Sequence, residues 1–351
     1  MLSVVGTPPA RLRAFLQSQG LRPQQARQAV HALTTAMWRD GHSWTPALEG
    51  LGRQARAAAE ATLEAPAPLT VRQVACASDG TRKLLIELAD GAVVESVVIP
   101  ATDGDRTTLC VSSQVGCGRR CTFCETGRLG LLRNLSADEI AGQLLAARGV
   151  WEPVRGALPP IRNVVFMGMG EPLDNLDAVA AAAAVMADPI AGGLSWRRIT
   201  VSTVGVAWKL PEFFAKVRAN LAVSLNAPDD ARRARWMPVN SRCDLASLKQ
   251  ALQTSLPPGR DVLVEYIVFD GQNDSDADAE LLLAWLDGLP VRLNLIVANP
   301  GPDPQLRTPT MERVRALHAR LLAAGIRAMV RHPHGREIGG ACGQLAATVV
   351  G

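Results

Sequence analysis

The segment Cys117-Gly-Arg-Arg-Cys121-Thr-Phe-Cys124 decides the fold of this chain. Three thiolates in one short loop can bind three irons of a 4Fe–4S cluster, which leaves the fourth iron open to an outside ligand. A structural zinc site normally needs a fourth protein ligand, and no further His or Cys lies close in sequence. His332 and His334 could supply that ligand from a distance, so a zinc site stays as the alternative.

Length and composition describe an ordinary globular protein. The chain has 351 residues, 48% apolar and 20% charged, enough for one large domain and a small one. The net charge of +4 permits a nucleic-acid partner without demanding one. No apolar run reaches about 18 residues, and no cleavable signal is evident, so we expect a cytoplasmic protein with no membrane contact. The seven cysteines are odd in number and partly clustered, which indicates ligation or catalysis.

Strand and helix patterns alternate from about residue 105 onward. Apolar runs predict six strands, Thr108–Ser112, Asn163–Met167, Ile199–Thr203, Leu221–Leu225, Val262–Val268 and Arg292–Val297. Such alternation is typical of a parallel sheet, and six repeats fall short of a closed eight-stranded barrel. The predicted fold class is therefore α/β, a partial six-stranded parallel β/α barrel.

The residues before this core have a different pattern. Apolar residues recur at helical spacing in Arg11–Gln19 and Pro23–Asp40, and an Ala-rich helical stretch follows. Pro66–Pro68 is typical of a linker, and three strands are predicted after it, Val71–Ala77, Lys83–Leu88 and Val93–Ile99. We therefore divide the chain into a helical accessory domain (1–65), a β-rich linker region (66–104), and a core with a C-terminal catalytic segment (105–351).

Small polar and glycine residues follow the predicted strands, where an α/β sheet binds its ligands. Gly168-Met169-Gly170-Glu171-Pro172 follows the second strand, and its carboxylate can pair with an ammonium group while its glycines allow close approach. The other strand-end candidates are Ser202, Ser224, Leu225, Asn226 and Asn299. Taken singly, each is equally typical of ordinary loop or capping chemistry.

The cysteine triplet, with an aromatic residue before its third Cys, resembles the signature of the radical S-adenosylmethionine (SAM) superfamily. The resemblance implies that the open iron of the cluster binds SAM and that one electron cleaves SAM to a 5′-deoxyadenosyl radical. It also implies that Gly170 and Glu171 bind the SAM amino group. The remaining SAM-binding candidates are then Ser202, Ser224, Leu225, Asn226 and Asn299.

Longer motifs narrow the resemblance to the RlmN/Cfr family of radical SAM RNA methyltransferases. They are TLCVSSQVGCGRRCTFCETG (Thr108–Gly127), RNLSADEIAGQ (Arg133–Gln143), FMGMGEPLDN (Phe166–Asn175), RITVSTVG (Arg198–Gly205), SLNAPDD (Ser224–Asp230) and ACGQL (Ala341–Leu345). The likeness implies methylation of adenine in RNA: one SAM methylates a cysteine, and a second SAM supplies the radical that activates the S-methyl group.

The same motifs assign catalytic roles by resemblance. Cys342 in ACGQL would carry the methyl group, and Cys110 in TLCVSSQ would resolve the RNA adduct through a disulfide. Glu95 in VVESVVIP matches the proton acceptor of the family, although its spacing to Cys110 is two residues longer than expected, and an exposed strand acid is the alternative. Cys76 and Cys243 match no motif, so we interpret both as structural.

The resemblance implies carbon-2 methylation of an adenosine in the peptidyl-transferase region of 23S rRNA, and of the tRNA adenosine next to the anticodon. MPVNSRCDLASL (Met237–Leu248) favours this branch over carbon-8 methylation, the resistance-conferring branch. A flavodoxin-like electron donor and a monomer are further expectations.

Asn226, where His is typical, leaves open a divergent radical SAM enzyme with another substrate. A rival from another class is a zinc-stabilised RNA-binding protein without catalysis.

Overall fold

The computed structural model of the chain describes residues 1–38, 44–64, 69–101 and 104–346. Among these residues, no helix combines the length and the apolar character needed to cross a membrane. Pro66–Pro68, and with it the expected boundary between the accessory and linker regions, lies outside the described residues.

The N-terminal part is helical, with its own small core. It contains β1 (Leu2–Ser3), α1 (Pro9–Ser18), α2 (Pro23–Trp38), α3 (Trp44–Glu49), α4 (Arg53–Thr62) and β2 (Leu63–Glu64). β1 pairs in parallel with β2 and brings the two ends of the helical part together. Leu12, Leu16 and Leu33 face inward at helical spacing and form a core separate from that of the sheet.

An antiparallel meander leads into the core and is continuous with it. β3 (Thr70–Cys76), β4 (Arg82–Glu87) and β5 (Val93–Pro100) pair in succession, and β5 pairs with β6 (Thr107–Cys110). The turn after β4 uses Gly91, whose φ of 81° lies in the left-handed region that glycine adopts without strain. The expected linker region therefore supplies three strands of the same sheet as the core.

The cysteine segment lies between two short strands. β7 (Gln114–Gly116) precedes it, α5 (Glu125–Leu129) follows it, and β8 (Leu131–Asn134) returns to pair antiparallel with β7. Gly116 permits this pairing, because a Cβ there would lie 1.9 Å from the carbonyl oxygen of Gly130. The hairpin holds one end of the cysteine loop against the core.

The remaining strands are parallel and follow sequence order. They are β9 (Ile161–Phe166), β10 (Ile199–Thr203), β11 (Asn220–Ser224), β12 (Val262–Val268), β13 (Val291–Val297) and β14 (Ala328–Arg331). Each one pairs with the strand before it, and the series begins at β6. Because each crossover advances in the same direction and has the same hand, the helices cover one face of the sheet.

Seven strands, including β6, thus form the parallel part, one more than the six expected. The α/β class and the open, barrel-like arrangement are confirmed. β14 has four residues, of which only Ala328 is buried, so no apolar alternation marks it in the sequence.

The crossover helices are α6 (Ala137–Trp151), α7 (Leu176–Ala187), α8 (Leu210–Lys216), α9 (Asp230–Trp236), α10 (Leu245–Ser255), α11 (Asp276–Leu286) and α12 (Met311–Ala323). Two begin with reciprocal capping boxes, Ser136 with Glu139 and Ser275 with Asp278. These caps satisfy the free amides of the first helical turn and fix where each helix starts.

A buried amide side chain joins α6 to the strand ends that carry the site. The Oε1 atom of Gln143 accepts hydrogen bonds from the Ser96 hydroxyl (2.7 Å) and from the Ser112 amide (2.8 Å). The Ser112 hydroxyl donates to the Glu95 carbonyl (2.6 Å) and accepts from the Met169 amide (2.9 Å). One connected network therefore sets the relative positions of β5 and of the segments that follow β6 and β9.

Candidate active site

A cavity opens at the carboxyl ends of the parallel strands. Counted out to open solvent, it encloses about 850 Å³. Nine of the expected site residues line it, Cys117, Cys121, Cys124, Gly170, Glu171, Ser202, Ser224, Asn226 and Cys342. The C-terminal segment and three successive strand ends are thus brought to the cysteine loop, as the α/β fold predicts.

The other four expected residues lie just outside this wall. Leu225 is fully buried, and its amide donates to the Glu265 carbonyl (2.9 Å). Asn299 lines an adjoining pocket that also includes Cys342. Cys110 is buried at the end of β6, and Glu95 is buried in the middle of β5.

The three clustered thiols share the cavity and influence one another. Burial raises the pKa of the Cys117 thiol to about 12, and burial followed by neighbouring thiolate charge raises the pKa of Cys121 further. Burial also raises the pKa of Cys124. Such thiols become thiolates only beside a strong positive charge, which iron supplies.

The arrangement of these thiols suits a cluster. Among the described residues, no three His, Cys, Asp or Glu side chains form a group that could hold a metal ion. A 4Fe–4S cluster does not need such convergence, because each thiolate binds a different iron. Cys117, Cys121 and Cys124 around one cavity therefore fit the cluster.

Glu171 is a buried carboxylate at the opposite wall. Its Oε1 and Oε2 atoms accept hydrogen bonds from the amides of Leu173 (2.9 Å) and Val204 (2.8 Å). Burial raises the pKa of the Glu171 carboxyl to about 7. A cationic ligand in the cavity would favour the ionised form, so the position suits the ammonium group of SAM.

Two glycines bring the backbone before Glu171 against the strand end that precedes the cysteine loop. A Cβ on Gly168 would lie 2.7 Å from the Val111 carbonyl oxygen, and a Cβ on Gly170 would lie 2.9 Å from the Gln114 amide nitrogen. Gly170 also has a φ of 102°, which side chains rarely adopt. Both walls of the cavity therefore depend on glycine at these positions.

The backbone conformation of Asn226 accounts for asparagine at this position. Its φ of 59° lies in the left-handed region, which Asn and His tolerate better than most residues. Its Oδ1 accepts from the Ile267 amide (3.1 Å), and its carbonyl accepts from Asn273 Nδ2 (2.8 Å). The residue fixes the end of β11 against β12 while lining the cavity.

Arg233 on α9 is the most important residue that the sequence analysis missed. It is fully buried, and its five N–H groups reach the carbonyls of Val204 (2.7 Å), Leu225, Ser224 and Cys243 (3.3 to 3.4 Å) and Asn240 Oδ1 (2.8 Å). The guanidinium thereby joins the ends of β10 and β11. Its sequence signal is weak, an arginine three residues before the buried Trp236 on one helix face.

Glu265 on β12 was also missed. It is nearly fully buried and lines the cavity, and Asn294 Nδ2 donates to its Oε1 (2.9 Å). Burial raises the pKa of the Glu265 carboxyl to about 7. A charged residue inside the apolar run VLVEYIV was the available signal.

The segment that carries Cys342 is bonded directly to the cysteine loop and its helix. The Glu125 amide donates to the Gly343 carbonyl (2.8 Å), and the Thr126 hydroxyl donates to the Leu345 carbonyl (2.6 Å). Asn299 Nδ2 donates to the Cys342 carbonyl (3.2 Å). Cluster loop and C-terminal segment are therefore held as one unit.

The thiols of Cys342 and Cys110 lie within electrostatic reach of each other. Cys342 keeps accessible surface because it opens into the cavity, yet dense surroundings and then the charge of Glu265 raise the pKa of its thiol to about 11. Burial, and then the charge of Cys342, raises the pKa of Cys110. All seven cysteines are free.

Glu95 already has partners. Its carboxylate forms an ion pair with Lys83 (2.9 Å) and accepts a hydrogen bond from the Ala346 amide (2.9 Å). Of the two cysteines outside any motif, Cys76 is exposed on β3 and Cys243 is buried in the main core.

The loop after β14 is docked rather than free. Arg336 Nε donates to Asn299 Oδ1 (3.1 Å), and His334 Nδ1 lies 3.2 Å from Asp79 Oδ2.

Comparison with known proteins gives consistent results. A profile of the radical SAM superfamily matches residues 111–284. A probable RNA methyltransferase from Sorangium cellulosum is 55% identical over 80% of this chain and 70% of its own length. The dual-specificity RNA methyltransferase RlmN of Marinobacter nauticus is 38% identical over 99% of this chain and 93% of its own. The crystal structure of a radical SAM methyltransferase from Sphaerobacter thermophilus has a TM-score of 0.85 at 35% identity, covering 99% and 100% of the two chains.

Arg233→Lys should destabilise the protein and loosen the cavity. Lysine has three donors, so at least two of the five oxygens bound by the guanidinium lose their partner. We expect the free energy of unfolding to fall by about 2–5 kcal/mol, together with weaker SAM binding. Urea unfolding and calorimetric SAM titration measure the two effects. Arg235→Lys, an exposed change on the same helix, is the matched control, and equal behaviour of the two variants would contradict the role of Arg233.

Gly170→Ala should impair SAM binding more than folding. The new Cβ meets the Gln114 backbone, and the left-handed φ adds strain, so we expect SAM affinity to fall about ten- to hundredfold. Gly149→Ala is the control, because Gly149 is an exposed position of α6 with nothing within 4 Å of its added Cβ. Equilibrium dialysis with labelled SAM gives the comparison. Unchanged affinity in Gly170→Ala would remove this segment from the SAM site.

Proposed function

The chain belongs to the RlmN family of radical SAM RNA methyltransferases, and from this premise we propose that it methylates carbon 2 of adenosine in 23S rRNA and in tRNA. One observation carries the proposal. Cys342 lies on the wall of the same cavity as Cys117, Cys121 and Cys124, with Cys110 in electrostatic reach behind it. A SAM-cleaving cluster alone needs three cysteines; the outlying pair suits transfer of a carbon to an electrophilic ring position.

Each group of residues has a task in this proposal. Cys117, Cys121 and Cys124 would hold the 4Fe–4S cluster, which when bound supplies the electron that cleaves SAM. Gly170, Glu171, Ser202, Ser224, Leu225, Asn226 and Asn299 would hold SAM, with Glu171 facing its ammonium group.

The cysteine pair would carry and release the methyl carbon. Cys342 would accept the methyl group on its sulfur and present it to the adenine ring. Once that carbon is bonded to the ring as a methylene bridge, the Cys110 thiolate would attack the Cys342 sulfur. The disulfide forms as the bond between that sulfur and the methylene carbon breaks, the electron pair goes to this carbon, and a proton completes the methyl group and frees the RNA. Glu95 is the residue that the family resemblance proposes as proton acceptor.

Carbon 2, rather than carbon 8, is supported by the relatives named as dual-specificity RlmN enzymes, which are 38–43% identical to this chain. The helical N-terminal part would add RNA contacts outside the cavity. We further propose a monomer that acts in the cytoplasm and takes its electron from a flavodoxin-like donor.

Nucleoside mass spectrometry of rRNA and tRNA from a strain lacking the gene tests the proposal. We expect 2-methyladenosine to disappear from both RNAs and to return with the wild-type gene but not with Cys342→Ala. Loss of 8-methyladenosine with retention of 2-methyladenosine would instead assign the carbon-8 reaction. No change in either nucleoside would refute RNA adenosine as the substrate.

Cys110→Ala should trap RNA on the protein. Without the resolving thiol, the ring carbon remains bonded through the methylene group to Cys342, so a covalent adduct should accumulate in place of product. Denaturing gels followed by mass spectrometry of the nuclease-treated protein would locate it. Cys76→Ala changes an exposed thiol outside the cavity and should turn over normally. Free RNA and unmodified Cys342 in Cys110→Ala would contradict the assigned roles.

A further inference from the structure

A buried ion pair lies behind the C-terminal segment. Lys83 on β4 and Glu95 on β5 are joined at 2.9 Å, with 7% and 0% of their side-chain surfaces exposed. In the strand register, Lys83 is opposite Val97 and Glu95 is opposite Leu85, so the two are diagonal neighbours on one face of the sheet. Burying two charges is costly even when they pair, so the position calls for an explanation beyond stability.

Both members of the pair lie beside the segment that carries Cys342, and Glu95 is bonded to it. The second carboxylate oxygen of Glu95 accepts from the Ala346 amide at 2.9 Å. The ammonium of Lys83 lies at Gly339, where an added Cβ would be 3.5 Å from its Nζ atom. Cys342 is between these two points in the chain. The ion pair therefore supports the segment on both sides of the thiol.

The segment is also bonded to α5, through Glu125 and Thr126, and to Asn299 after β13. These bonds use only the carbonyls of Cys342, Gly343 and Leu345. Glu95, by contrast, accepts a hydrogen bond from an amide of the segment, and the Lys83 ammonium balances the buried charge of its carboxylate. The two sets of contacts together determine where the Cys342 thiol enters the cavity.

We propose that Lys83 is a positioning residue: its charge compensates the buried Glu95 carboxylate, so that Glu95 stays at the Ala346 amide and fixes the Cys342 segment at the cavity. We call the two residues the Lys83–Glu95 latch. The latch rests on the proposed function only in taking Cys342 as the methyl carrier. It gives Glu95 a task that uses its buried, paired position.

The variants Lys83→Met, Glu95→Gln and the double variant Lys83→Met/Glu95→Gln separate the positioning role of the ion pair from proton transfer by Glu95. Methionine fills the volume of the lysine but leaves the buried Glu95 carboxylate without its cation. Glutamine in the double variant is neutral and can still accept the hydrogen bond from Ala346. Replacing a buried ion pair by neutral groups of similar size is far less disruptive than removing one partner, so the double variant should recover what Lys83→Met loses.

Two measurements are made on the anaerobically purified holoenzyme of each variant. Amide hydrogen exchange followed by mass spectrometry reports the order of residues 339–346 without requiring activity. Methylation of Cys342 during incubation with SAM, read by peptide mass spectrometry, reports whether the thiol is placed for its first reaction. Lys216→Met removes the exposed ion pair of Lys216 with Glu212 and is the control.

In Lys83→Met, we expect exchange of residues 339–346 to accelerate and Cys342 methylation to slow, each by roughly tenfold or more. In the double variant both should return to within about threefold of wild type, with exchange in the rest of the sheet unchanged in either protein. If the double variant methylates Cys342 but fails on RNA, Glu95 also serves as proton acceptor and the latch stands.

Two outcomes would overturn the latch: wild-type exchange and Cys342 methylation in Lys83→Met, or a double variant no better than Lys83→Met. If Lys83→Met does not fold, the double variant is compared with wild type and with Lys216→Met. Loss of order confined to residues 339–346 in the folded double variant would also refute the latch. If exchange responds as expected but wild-type Cys342 never gains a methyl group, the latch holds and the proposed function fails.

Discussion

The buried guanidinium of Arg233 determines the shape of the Glu171 side of the cavity. Parallel strands end in carbonyl oxygens that point beyond the sheet, and the guanidinium has enough donors to bind those of Val204, Ser224 and Leu225 together. A buried charge is tolerated there because all its donors are used. The same Val204 residue donates its amide to Glu171, so the position of that carboxylate follows from the position of the guanidinium. Strand ends, arginine and candidate SAM ligand thus form one chain of contacts.

The other walls of the cavity are held in place by different interactions, backbone packing on one side and hydrogen bonds on the other. On the cysteine side, close approach of two backbone segments forms the wall, because Gly168 and Gly170 allow the end of β9 to pack on the segment after β6. On the Cys342 side, hydrogen bonds from α5 hold a segment that is more than 200 residues away in sequence, Thr126 to Leu345. A cavity built from such distant parts can keep one geometry only if each part is fixed by buried, saturated contacts. The Gln143 network and the Lys83–Glu95 pair are two such contacts.

The sequence predicted the strands of the core well because apolar runs with turn residues between them are local signals. Ile199–Thr203 and Val262–Val268 have the predicted bounds. β14 and the seven-residue α9 were missed, since each is too short to show a period. Strand ends and motifs predicted which residues would lie at the site, but they did not predict the ion-pair and hydrogen-bond partners of those residues. Lys83 meets Glu95 only through the antiparallel register of β4 and β5, and Arg233 meets the ends of β10 and β11 only after its helix has packed.

Asn226 shows how a departure from a motif is judged by what its position requires. In sequence, asparagine in place of the usual histidine suggested a different substrate. In the structure, the residue must adopt a left-handed φ of 59° and must offer an acceptor to the Ile267 amide. Histidine and asparagine share the first ability, and the short amide side chain of asparagine supplies the second. Because the side-chain oxygen joins β11 to β12, the exchange of histidine for asparagine at this position concerns first of all the geometry of a strand end.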